Sequence, residues 1–284
     1  MLILTAILLS EKNPLKIKTS YTRTCILLTS VFMAAGCQPD QEDWELESSS
    51  YNDLCLGGCP PVKSGNTLLK RKVYNLSNNP RTKFADWVSY RVTPSSIGSG
   101  KNRVWQADPD LKSGTTLEPS DYTGASADLD TDRGHQVPLG SFTGTSYWKE
   151  TNYLSNITPQ SKSLNQGAWN KLEGEVREMT KSRRKSTWVL TGPIYQYYFG
   201  KLPKADEYHR IPSGYWKVIA IIEGNQAYTV AFAFDQDIDR EADFCDQIVP
   251  LRAIEDEINL ALMDKANIQN QIDSQRVAEK LGCE

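Results

Sequence analysis

Asp132-Arg133-Gly134-His135 places an acid, a fixed cation and an imidazole within four residues. His135 is one of two histidines in the chain (the other is His209), so a histidine-based mechanism has few places to reside. A neutral imidazole accepts a proton near neutral pH, and a guanidinium beside it holds a phosphate or a developing negative charge. Gly134 is expected to let the backbone bend tightly and bring Arg133 and His135 towards one point. Alone, such a tetrapeptide reads as a surface turn carrying a salt bridge.

A second cluster changes that reading. Asn165, Trp169, Glu173 and Arg177 are spaced four apart, which on one helix would align an amide, an acid and an arginine along one ridge. With the first cluster they supply what metal-assisted phosphodiester hydrolysis requires. A base activates water, an oxygen ligand holds a divalent ion, an acid orients the ion's waters, and arginines offset charge on phosphorus.

The elements that must position these groups follow from hydrophobic patterning. Trp169, Leu172, Val176 and Met179 recur at spacings of three, four and three, predicting a helix over Asn165–Ser182 with an apolar stripe. Val88, Tyr90 and Val92 alternate with polar residues as in a half-buried strand. Thr187–Thr191, Tyr215–Ile222 and Ala227–Phe234 read as core strands, the last two forming a hairpin around Glu223-Gly-Asn225. Residues 106–131, rich in Asp, Pro, Ser, Thr and Gly, read as a long loop leading to Asp132. Ile254–Ile272 reads as a second helix. Lys181, Arg183, Arg184 and Lys185 either extend a cationic track or offset a helix C-terminus.

With 284 residues, 39% hydrophobic and 24% charged, the chain has the make-up of a globular protein with an ample core. The net charge of −3 becomes more negative without residues 1–37, which hold four basic residues and one acid. Coating nucleic acid by bulk charge is thereby excluded, and polyanion binding must rest on a local patch. Residues 1–37 read as a signal peptide, with a basic stretch before an apolar run ending in small residues. Ala34-Ala-Gly-Cys37 resembles a bacterial lipobox with Ala where Leu is usual, so acylation at Cys37 stands beside plain cleavage. Residues 38–53 read as a flexible acidic tether. The remaining Cys55, Cys59, Cys245 and Cys283 form an even set, which in an exported chain argues for Cys55–Cys59 and Cys245–Cys283 disulfides. A Cys-x3-Cys metal site is the alternative.

Three ordered blocks, Asp132-Arg-Gly-His-Gln-Val-Pro138, Asn152-Tyr-Leu-Ser-Asn-Ile-Thr-Pro-Gln160 and Leu164-Asn-Gln-Gly-Ala-Trp169 with Leu172-Glu173, resemble the DNA/RNA non-specific endonucleases of the ββα-metal superfamily. The resemblance runs from Leu54 to about Asp237 and includes Ile211-Pro-Ser-x-Tyr-Trp-Lys-Val218. It implies an α+β fold for residues 54–284, with a mixed, largely antiparallel central sheet flanked by helices. It also implies His135 as general base, Asn165 as the lone protein ligand of Mg²⁺ (or Mn²⁺ as substitute), and Glu173 orienting the ion's waters. Arg133 and Arg103 would stabilise the transition state, and Arg177, Asn156 and Gln160 would bind substrate. The implied activity is hydrolysis of DNA and RNA with little sequence preference, leaving 5′-phosphate ends. A homodimer is compatible with the resemblance. The expected location is the periplasm, the outer membrane through a lipid at Cys37, or the medium. The rival readings are a silent surface lipoprotein that binds nucleic acid or a protein, and a nuclease toxin paired with an immunity protein.

Overall fold

Strand-forming runs dominate the chain, and they assemble into one large sheet. The computed structural model describes residues 51–263 and 274–284. The signal-peptide and lipobox readings, and the tether as far as residue 50, lie outside the described residues. The tether's last three residues join Leu54 in a single 3-10 turn, Tyr51–Leu54, anchored to the sheet: Asp53 O accepts from Trp188 Nε1 and Leu54 O from Ser89 Oγ.

The strands are β1 (Thr67–Lys70), β2 (Tyr74–Asn78) and β3 (Ala85–Val92), then β4 (Thr131–His135) and β5 (Ile157–Ser161) after the short helix α1 (Ala125–Asp128). Next come the helices α2 (Lys162–Gln166) and α3 (Ala168–Arg183), then β6 (Thr187–Ile194), β7 (Gly214–Glu223), β8 (Gln226–Asp235) and β9 (Ile248–Val249). Helices α4 (Leu251–Ile258) and α5 (Ser274–Lys280) complete the described part. Seven strands pair in the order β1-β2-β3-β6-β7-β8-β9, every neighbouring pair antiparallel, while β4 and β5 form a separate antiparallel pair. The expected α+β class and antiparallel central sheet are what the fold shows.

Both faces of the sheet are covered, which is why β7 is buried along most of its length. On one face Trp169, Leu172, Val176 and Met179 of α3 pack with Tyr215, Ile219 and Ile221 of β7 and with Val88, Tyr90 and Val92 of β3. On the other, Trp216 and Val218 pack with Leu251 and Ile254 of α4. This two-faced burial follows from strand alternation, each face taking every second side chain. The β7–β8 hairpin closes through Gly224-Asn225, with Gly224 at φ +59°, a conformation glycine adopts without a Cβ penalty.

Two helical expectations need correction. The helix expected over Asn165–Ser182 is two helices, because Gly167 (φ −97°, ψ −119°) interrupts it. A Cβ at Gly167 would lie 2.4 Å from the carbonyl oxygens of Ser163 and Arg240, so the break depends on a close backbone approach. Asn165 therefore belongs to α2 and does not share a ridge with Glu173 and Arg177. The helix expected over Ile254–Ile272 ends at Ile258, where Asn259 (φ +48°) caps it, and residues 264–273 lie outside the described part.

The structure pairs Cys55 with Cys59 and Cys245 with Cys283, as expected. The second bridge fastens α5 to the chain that follows β8, across a sequence separation of 38.

Candidate active site

β4 and β5 run antiparallel with His135 opposite Ile157 and Asp132 opposite Gln160, and α2 follows β5 directly. Ser161 terminates the strand and caps the helix, its Oγ accepting from Leu164 N. This β-β-α unit carries Asp132, Arg133 and His135 on a strand and Asn165 on the helix. Alternation along β4, rather than a bend, sends Arg133 and His135 to the same side. The reading of Gly134 as a bend is thus corrected. It lies in a regular strand and is small because the buried Gln160 side chain occupies the place of a Cβ, with Oε1 2.0 Å from that position.

His135, Asn165, Glu173, Arg103, Arg133 and Arg177 all line one cavity of about 750 Å³. The sequence-derived site residues, drawn from five stretches of chain, are thus brought together, with two exceptions. Asn156 and Gln160, expected to bind substrate, are fully buried away from the cavity wall. Asn156 accepts from Val137 N and donates to the carbonyls of Val137 and Thr151, which closes the chain between β4 and β5. Gln160 packs under Gly134. Their polar groups serve the scaffold. The basic residues 181–185 are also off the cavity: Lys181 pairs with Glu178, Arg183 donates to Ile222 O, and Arg184 ends α3 in a left-handed conformation. The helix-end reading accounts for them.

His135 is only 9% exposed, and burial holds its imidazole down at about 4. The hydrogen bond to Asn152 works against that shift and the positive charge of Arg103 adds to it. The ring is therefore neutral at physiological pH. Its Nε2 stands 3.3 Å from Asn152 Oδ1, an acceptor, so Nε2 carries the proton and Nδ1 keeps the lone pair. The Trp105 ring packs against it at 5.2 Å.

Arg133 is sandwiched by aromatic rings, with its guanidinium 5.6 Å from the Trp105 centroid and 5.3 Å from that of Tyr122. One Nη2–H donates to Pro119 O, which fixes the plane of the fork. Arg103 is exposed on the loop before Trp105, and Arg177 lies against Gly140 across the cavity. That loop is anchored by the buried Asp108, which binds the Arg71 guanidinium and Ser155 Oγ.

Asn165 Nδ2 donates to Asp132 Oδ2 at 2.8 Å, and Gln166 Nε2 donates to the same oxygen at 2.7 Å. Tying down the amide nitrogen leaves the amide oxygen for the cavity. Glu173, its side chain 12% exposed, turns Oε1 inward to 3.6 Å from Lys217 Nζ. That oxygen is buried and takes no hydrogen bond, so the carboxylate's accessible edge is Oε2 on the cavity side. Burial pushes the carboxyl up, opposed by Lys217 and Arg177.

The oxygen donors on this wall are one neutral amide, the Glu173 carboxylate and the Asp132 carboxylate, whose Oδ2 is already taken by the amides of Asn165 and Gln166. Among the described residues no group of three or more His, Cys, Asp or Glu is placed to hold a metal. Such a set fits a hard ion that keeps most of its waters, and does not fit zinc. The anchoring roles of Asp132, Asn152 and Lys217 were not assigned from the sequence. The first two lie inside the motif blocks, and Lys217, in the Ile211–Val218 segment, is a buried charge within a largely apolar strand.

Comparison with known proteins agrees with this geometry. The DNA/RNA non-specific endonuclease family model matches residues 58–267. A nuclease of Serratia marcescens is 47% identical over 244 residues, covering 85% of this chain and 89% of that protein. Human mitochondrial endonuclease G is 33% identical over 132 residues, 45% of this chain and 43% of that one. The fold also overlays a chain in the crystal structure of the EndoG/EndoGI complex with a TM-score of 0.63, at 24% identity, covering 74% of this chain and 90% of that one. The chain belongs to the DNA/RNA non-specific endonuclease family and is an enzyme that hydrolyses phosphodiester bonds.

Proposed function

We propose that this protein is an exported endonuclease that cleaves DNA and RNA with little sequence preference, using Mg²⁺ held by Asn165. The observation that carries the reading is the convergence of a neutral, oriented imidazole, an amide oxygen with its nitrogen tied down, and three arginines on one cavity.

His135 Nδ1 removes a proton from the attacking water while Asn152 holds Nε2–H, so the ring stays in the productive tautomer. The water oxygen bonds to phosphorus, the P–O3′ bond breaks and O3′ takes a proton from solvent, so the products carry a 5′-phosphate and a 3′-hydroxyl. Arg133, clamped between Trp105 and Tyr122, and Arg103 offset charge on the non-bridging oxygens. Arg177 binds the substrate backbone from the far wall. Asn165 Oδ1 would hold the Mg²⁺, which would supply Lewis-acid stabilisation of charge on the phosphate and leaving oxygen, and Glu173 would orient the ion's waters. Every group named addresses phosphate rather than a base edge, which supports indifference to sequence and sugar. Two disulfides support an oxidising compartment, hence export. A lipid at Cys37 belongs to the same proposal.

Digestion of plasmid DNA and of RNA, with EDTA and after return of Mg²⁺, tests the reading. Cleavage of both should stop with EDTA and resume with the ion, and His135→Ala should lower turnover at least ~10²-fold without unfolding. EDTA-resistant cleavage would remove the metal, and near-wild-type turnover by His135→Ala would remove the base.

A further inference from the structure

The mechanism above leaves one buried charge of the site unused. Alternation along β7 puts Tyr215, Lys217 and Ile219 on the face covered by α3, and Lys217 is 1% exposed between two fully buried neighbours. An ammonium in such a place is costly unless paired. Its Nζ stands 3.6 Å from Glu173 Oε1, 3.5 Å from Tyr90 Oη of β3, and 4.0 Å from the centroid of the Trp169 ring. Trp169 and Glu173 are one turn apart on α3, so the ammonium sits beneath that pair and between helix and sheet.

A purely structural role would be to fasten α3 to the sheet. Two features weigh against that as the whole account. Apolar residues already join α3 to this face along its length, from Trp169 to Met179. The carboxylate that Lys217 engages is also the one whose other oxygen borders the catalytic cavity. Arg177, on the next turn of α3, is a second cation acting on Glu173, but it lines the cavity itself. Lys217 acts from below and has no access to substrate.

We propose that Lys217 is a positioning residue for cleavage: its ammonium grips Glu173 Oε1 from beneath the helix and so presents the opposite carboxylate edge to the cavity, where a hydrated metal ion is held. The inference rests on the role given to Glu173 in the proposed function. Removing the grip leaves Glu173 Oε1 buried without its cation and the carboxylate free to rotate towards Arg177, whereas removing both charges leaves no buried charge unpaired.

The test compares wild type with Lys217→Met, Glu173→Gln and the double variant. Met is close to Lys in length and carries no charge. Three quantities are measured: turnover on DNA at saturating Mg²⁺, Mn²⁺ binding by electron paramagnetic resonance without nucleic acid, and the melting temperature. Lys217→Met should lose about 10–100-fold in turnover and bind Mn²⁺ more weakly, the scale for partners that orient metal-bound groups. The double variant should be no less active than Glu173→Gln, within a factor of about 3, because coupled residues do not multiply their losses. Wild-type turnover and Mn²⁺ affinity in Lys217→Met, or losses that multiply in the double variant, would overturn the inference. If Lys217→Met melts too low to assay, the comparison of Glu173→Gln with the double variant decides alone. Full activity in Glu173→Gln would instead sink the reading of Glu173, and an impaired Glu173→Gln beside an unimpaired Lys217→Met would sink only this one.

Discussion

Replacing Gly134 with alanine tests how the strand carrying His135, the proposed base, is held. The added Cβ would meet Gln160 Oε1 at 2.0 Å, Cδ at 2.5 Å and Cγ at 2.6 Å, all well inside contact distance. Gln160 is fully buried, so its side chain cannot swing into solvent. Either it is forced off its rotamer or β4 shifts away from β5. Overpacking of this kind costs about 1–3 kcal/mol, which for a domain of this size lowers the melting temperature by roughly 2–10 °C. The larger effect is on chemistry. His135 is the next residue, and a displacement near 1 Å of a catalytic group costs on the order of 10²-fold in rate. Thermal melting and plasmid cleavage of Gly134→Ala would be measured beside Gly134→Ala with Gln160→Ala, which removes the three obstructing atoms. The double variant should recover most of the activity, although the cavity left by Gln160 keeps stability down. Full activity in Gly134→Ala, or no recovery in the double variant, would refute the account of Gly134 as a packing site.

Asp132→Ala releases both amides that share Oδ2, so Mg²⁺ affinity should fall about 10–100-fold, with Asp132→Asn milder because it still offers an acceptor; titration of activity against Mg²⁺ checks the order. His135 is buried neutral, with its folded value near 4 against 6.5 when unfolded, so the unfolded chain binds the extra proton between those values. Stability should therefore fall as pH drops from about 6.5 towards 4, by up to about 3 kcal/mol. Denaturant titrations of wild type and His135→Ala across that range should show the variant lacking this slope. Breaking the Cys245–Cys283 bridge with paired serines should cost about 4 kcal/mol by loop entropy for a 38-residue separation, and Cys55–Cys59 nearer 2 kcal/mol; chemical denaturation distinguishes the two.

Most of the sheet is legible in the sequence because strand periodicity is local. Val88, Tyr90 and Val92, and the hairpin at Gly224-Asn225, are where alternation and turn residues put them. The apolar stripe of α3 is equally local. The helix break at Gly167 is only partly so, since a Cβ there would meet the backbone of Arg240, 73 residues away in sequence, as closely as that of nearby Ser163. Asn156 and Gln160 mislead for a related reason. They stand in a motif block beside site residues, but strand register and the loop after His135 turn them into the interior.

By itself the sequence determined which groups gather at the cavity. The histidine, the amide, the acid and the arginines that line the cavity are identifiable by type, motif and order, and two disulfides by the even number of cysteines. Only the tertiary structure decided how those groups are held. Asp132 fixes the Asn165 amide across 33 residues, Asn152 fixes the His135 tautomer across 17, and Lys217 reaches Glu173 from a strand 44 residues later. Hydrogen-bond and charge partners are set by through-space distance and burial. Neither quantity has a period along the chain, so neither can be read from one.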